Sequence, residues 1–77
     1  MSSAAPSQNI HSSAIIESGA ILGADVQVGA YSVIGPDVVL GDGVKIHPHV
    51  VVSGRTEIGD ATEIYPFASI GSQPQDL

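Results

Sequence analysis

Every sixth residue from Ile10 onward is aliphatic. The series runs Ile10, Ile16, Leu22, Val28, Ile34, Leu40, Ile46, Val52, Ile58, Ile64 and Ile70 without an exception. The next position is glycine at 23, 29, 35, 41, 59 and 71. From Ile10 to Ile64 the fourth position after the aliphatic residue holds Ala14, Ala20, Val26, Ser32, Val38, Val44, Val50, Thr56, Thr62 and Ala68, all small or β-branched. The 43% hydrophobic content makes aliphatic residues common, but composition sets no phase. A repeat of fixed length constrains the architecture before any local propensity does.

The period excludes an amphipathic helix. Six residues advance an α-helix by about 600°, which scatters the aliphatic positions to three separate sides. Nine glycines and five prolines also oppose a helix. Long strands fail because turn residues recur every few positions. Short strands with regular corners remain. In this reading the aliphatic side chain points inward, and the following glycine lets the backbone turn without a Cβ penalty. Pro36, Pro48 and Pro66 stand one position further on, where a fixed φ suits a corner. Three such sides make one triangular coil of 18 residues, and successive coils stack in parallel at about 4.8 Å. The repeat itself does not set the hand of the coil. An irregular β-sandwich, a right-handed β-helix and a disordered chain are the competing readings.

Residues 1–9 lack the repeat and are expected to form a flexible leader. Residues 10–77 are expected to form a partial β-helix domain, because the repeat runs to the final residues without a polar cap. An uncapped coil exposes strand edges, so the sequence is expected to stop within a longer protein. The formal charge is -6, with eight acidic residues against Lys45 and Arg55. No basic stripe offers itself to nucleic acid. The first nine residues carry neither a basic region nor the apolar run of a signal peptide. No apolar stretch is long enough to span a membrane. Cysteine is absent, which removes disulfides and thiolate metal ligands.

The pattern is interrupted in three places. In the segment Val44–Arg55, His47 replaces the usual glycine and His49 stands near the same corner. Two histidines at a spacing of two can ligate a metal, but neither has a third ligand or a carboxylate nearby in sequence, and polar surface or inter-chain contacts are the plainer reading. Tyr65, Pro66 and Phe67 replace another glycine corner. Tyr31, His49 and Phe67 share one outward phase at steps of eighteen, so they are expected to line one outer edge as a subunit interface. Isolated corner residues that shield the backbone are the alternative. Asp76 falls where other repeats place an aliphatic residue. Burying it unpaired would cost several kcal/mol, so it faces solvent or a ligand.

Three segments carry a more specific resemblance: His49-Val50-Val51-Val52-Ser53-Gly54-Arg55-Thr56, Ile64-Tyr65-Pro66-Phe67-Ala68-Ser69-Ile70-Gly71 and Pro74-Gln75-Asp76-Leu77. Together with His11 and Ala14-Ile15 they resemble the acyl-[acyl-carrier-protein]–UDP-N-acetylglucosamine O-acyltransferases, a branch of the hexapeptide-repeat transferases. The resemblance covers the chain from Asn9 onward. It implies an all-β fold, a single-stranded left-handed parallel β-helix, in a cytoplasmic homotrimer. It implies transfer of a 3-hydroxyacyl group from acyl carrier protein to the 3-hydroxyl of UDP-N-acetylglucosamine, the first step of lipid A biosynthesis. It assigns substrate contacts to Gln75 and Asp76, the carboxylate accepting strong hydrogen bonds from sugar hydroxyls. It places the catalytic histidine base on a later coil, matched by neither His47 nor His49, so no catalytic residue is expected within this chain and the chain alone is expected to be inactive. No cofactor and no metal are expected. His47 stands where many members carry lysine, Ser53 where many carry asparagine, and Arg55 where histidine is frequent. The first difference weakens any basic contact at that position. The related N-acyltransferase of the same pathway shares the fold but carries an extra N-terminal domain. A non-catalytic hexapeptide-repeat scaffold is the structural alternative.

Overall fold

The computed structural model describes residues 8–71. The expected leader, up to Ser7, and the candidate substrate contacts Gln75 and Asp76 lie outside the described residues. Eleven short strands follow one another: β1 (Asn9–Ile10), β2 (Ile15–Ile16), β3 (Ile21–Leu22), β4 (Gln27–Val28), β5 (Val33–Ile34), β6 (Val38–Leu40), β7 (Lys45–Ile46), β8 (Val51–Val52), β9 (Thr56–Ile58), β10 (Glu63–Ile64) and β11 (Ser69–Ile70). Every third strand joins the same sheet. The three sheets are ordered β1-β4-β7-β10, β2-β5-β8-β11 and β3-β6-β9. All pairings are parallel and in an 18-residue register, as in Ile10↔Val28, Ile34↔Val52 and Leu40↔Ile58. Val28, Ile34 and Leu40 thus occupy the three sides of one coil. The expected parallel β-helix of hexapeptide repeats is the observed fold.

The core is the repeat seen end-on. Val28, Ile34, Leu40, Ile46, Val52, Ile58 and Ile64 are buried, and Ile10, Ile16, Leu22 and Ile70 pack against them partly covered. Val26, Val38, Val44 and Val50 from the small-residue phase fill the interior beside the corners. Ser32 stands in the same phase and is fully buried. Its hydroxyl donates to the His47 carbonyl at 2.8 Å and accepts from the Val50 amide at 3.0 Å, so no polar atom there is left without a partner.

The corners differ from the sequence expectation. Positive φ does not fall on the glycine that follows the aliphatic residue, except at Gly71. It falls two residues later at Gly19, Asp25, Tyr31, Gly43, His49, Ala61 and Phe67, and one residue later at Gly54. At Gly23, Gly29 and Gly41 the glycine after the aliphatic residue has another job, which is to let the next coil approach. A Cβ on Gly41 would lie 2.8 Å from the Asp60 amide nitrogen and would collide with the Asp60 carboxylate. That carboxylate accepts from the Asp42 amide at 2.9 Å, and Asp42 accepts in turn from the Ala24 amide at 2.9 Å. One corner is therefore tied coil to coil by aspartates seated against glycine.

Gly41→Ala and Gly35→Ala separate close approach from backbone freedom. On Gly35 the nearest atoms a Cβ would meet are Ser53 Cα and the Val52 carbonyl oxygen, both at 3.4 Å. Gly41→Ala should destabilise by about 1–3 kcal/mol through the displaced aspartate hydrogen bond. Gly35→Ala should leave stability unchanged or raise it by up to about 1 kcal/mol. Denaturant melts of the two variants check this, and equal effects would contradict the account.

Candidate functional site

The richest side-chain chemistry of the described residues lies at the corner joining the β1-β4-β7-β10 sheet to the β2-β5-β8-β11 sheet. Here the 18-residue register stacks identical corner positions above one another. Tyr31, His49 and Phe67 form one column. The Tyr31 and His49 rings stand 5.4 Å apart at 20°, and the His49 and Phe67 rings 5.2 Å apart at 7°. Tyr31 and Phe67 are strongly exposed, at 66% and 81%. The expected outer edge thus exists as a continuous stack.

All three residues adopt positive φ, between 60° and 67°. That conformation costs a side-chain-bearing residue about 1–2 kcal/mol. Two interactions offset the cost. Ring stacking contributes about 0.5–1.5 kcal/mol per pair. Each turned amide also donates to the preceding coil: Tyr31 to Ser13 Oγ at 3.0 Å, His49 to the Ala30 carbonyl at 2.9 Å, and Phe67 to the His49 carbonyl at 3.0 Å.

A second column lies beside the first. His47 stacks on Tyr65 at 5.3 Å and 19°. Its Nε2 lies 2.6 Å from Glu63 Oε2. An ionised carboxylate only accepts, so His47 donates through Nε2. The hydrogen bond from His47 holds the Glu63 carboxyl below its ordinary value of 4.5, against an opposing effect of desolvation. The charges of His47 and Lys45 act in the same direction. Lys45 is the register partner of Glu63 on the neighbouring strand. The sequence reading sought a carboxylate close to His47 along the chain and missed this one. Adding eighteen to Lys45 reaches Glu63, and that arithmetic was the available signal. The two histidines do not converge on one point: His47 is engaged by Glu63 and Tyr65, and His49 by Tyr31 and Phe67.

A model of the bacterial transferase hexapeptide family, built of six repeats, matches residues 9–42 and 19–54. The chain belongs to that family. Acyl-[acyl-carrier-protein]–UDP-N-acetylglucosamine O-acyltransferases from Rickettsia typhi and Rickettsia prowazekii are each 58% identical to it over 69 residues. Those alignments take in 90% of this chain and 26% of each relative. The chain therefore spans about a quarter of the length of these curated relatives. The solved structure of the UDP-N-acetylglucosamine acyltransferase from Campylobacter jejuni superposes with a TM-score of 0.87 at 39% identity, covering 90% of this chain and 27% of that one. Sequence and fold together give this hexapeptide-repeat protein an acyltransferase lineage and support the left-handed course of the coil. Among the described residues no helix is long and apolar enough to cross a membrane.

The Glu63 pair has a pH signature. A depressed folded-state pKa stabilises the fold above the unfolded value, and that contribution disappears as pH falls through the folded value. Carbon-detected titration should place the Glu63 midpoint below 4.5 and move it upward in His47→Ala. An unmoved midpoint in that variant would show that the hydrogen bond does not set it.

Proposed function

We propose that this chain forms the first coils of an acyl-[acyl-carrier-protein]–UDP-N-acetylglucosamine O-acyltransferase. The whole protein would move a 3-hydroxyacyl group from acyl carrier protein to the sugar 3-hydroxyl, in the cytoplasm, at the first step of lipid A biosynthesis. The observation that carries this reading is the 58% identity, over 90% of the chain, to two relatives that bear that name. Acyl transfer to a sugar hydroxyl needs a base to take its proton. On this reading the base comes from a coil beyond Leu77. His47 and His49 hold the corner columns, so the 77-residue chain alone turns nothing over. The active protein is a homotrimer, with Tyr31, His49 and Phe67 at the subunit surface. Their exposed stack supports that placement. Light scattering that finds the full-length protein a stable monomer would contradict it.

Gln75 and Asp76 are the proposed sugar contacts. Asp76 breaks the aliphatic phase, and a carboxylate suits sugar hydroxyls. Losing a hydrogen bond to a charged group costs about 1.5–3 kcal/mol. If that bond acts in the transition state, Asp76→Ala in the full-length protein lowers kcat/KM by roughly 10–150-fold without unfolding the trimer. Steady-state kinetics with UDP-N-acetylglucosamine and a melting curve on the same variant test it. Near-normal efficiency, or a lowered melting temperature alone, would defeat the substrate-contact assignment.

A further inference from the structure

The outer face of the β1-β4-β7-β10 sheet carries a cavity of about 250 Å³ beside the second ring column. Asn9, His11, Gln27, Lys45 and His47 line it, with Gly29 and Pro48 at the corner. His11, Gly29 and His47 are successive rungs of one column, since the His11 amide donates to the Val28 carbonyl and the Gly29 amide to the Ile46 carbonyl. Gly29 leaves the middle rung without a side chain. A Cβ there would lie 2.5 Å from the Pro48 nitrogen and 2.7 Å from the His47 carbonyl carbon. Both are backbone atoms, so no residue with a side chain fits at 29, and the gap is imposed by the fold.

The dimensions admit one ring. Rungs two coils apart are separated by about 9.6 Å. A ring in van der Waals contact on both faces needs about 7–8 Å. His47 is stacked by Tyr65 on the side of the later coil, which leaves its other face toward the empty rung. The His11 ring is fixed by its Nδ1, which accepts from the Ser13 amide at 3.0 Å.

The chain has eight carboxylates against two basic residues. Among the described residues that line the cavity, Lys45 carries the fixed charge and none is a carboxylate. Glu63 lies one rung beyond Lys45, with its Oε2 engaged by His47. Asn9 and Gln27 add amide groups able to donate and accept.

We propose that this slot binds a small planar ring carrying an anionic group, the ring on His47 and the anion on Lys45. The volume admits one ring with a short substituent. The inference is independent of the acyl-transfer reading.

Benzoate is the probe, titrated into the isotope-labelled full chain and followed by NMR. Acetate supplies the anion without a ring, and benzyl alcohol the ring without an anion. Benzoate should shift the Gly29, His47 and Tyr65 signals with a Kd of about 1 mM. Acetate and benzyl alcohol should bind at least about tenfold more weakly, and so should benzoate to Lys45→Met, each tenfold being about 1.4 kcal/mol. Circular dichroism melts of Lys45→Met establish that it is folded. No response of these signals to benzoate, including one caused by a neighbouring subunit already filling the slot, would overturn the proposal. Equal binding of acetate, or undiminished binding to Lys45→Met, would overturn it as well.

Discussion

Parallel hydrogen bonding from each coil to the next is the constraint on which the rest of the structure depends. An amide donates to the carbonyl seventeen residues further on, as from His11 to Val28 at 2.9 Å, Gly29 to Ile46 at 2.8 Å and His47 to Ile64 at 3.0 Å. This ladder puts each residue over its counterpart eighteen positions away. A slip by one residue would turn the aliphatic phase outward. Burial of Val28, Ile46 and Ile64 in one row therefore locks the same register that the backbone bonds set.

The register also acts outside the core. It converts scattered single residues into columns: Asp42 over Asp60 at one corner, Tyr31 over His49 over Phe67 at another, and His47 over Tyr65 beside it. Two of these columns meet a cost created by the turn they occupy. The aspartates satisfy corner amides, and the rings of Tyr31, His49 and Phe67 offset positive φ. Where the column position is Gly29, the same geometry produces a gap. Structural glue and a ligand-sized slot are thus two products of one repeat.

The core was legible in the sequence because the inward phase has no exception, and three sixes made the coil length readable. The edge Tyr31, His49 and Phe67 was legible for the same reason. The corner chemistry was less so. A glycine in a repeat signals either positive φ or close approach, and composition does not say which. Gly41 serves approach, while Tyr31 and Ala61 take the turn. The His47–Glu63 pair was missed because its partners lie sixteen residues apart and meet diagonally between adjacent coils. Gln75 and Asp76 lie outside the described residues, so their role rests on the resemblance, and the kinetics of the whole protein test it.

The central claim is that one 18-residue parallel register organises both the core and the corner columns. Nuclear Overhauser contacts in the full chain, labelled on Ile, Leu and Val methyls and on backbone amides, test it most directly. The account predicts methyl contacts of Val28 with Ile46, Ile46 with Ile64, Ile34 with Val52 and Leu40 with Ile58, with backbone contacts in the parallel pattern. Antiparallel contacts between strands adjacent in sequence, as in hairpins of a β-sandwich, would contradict it.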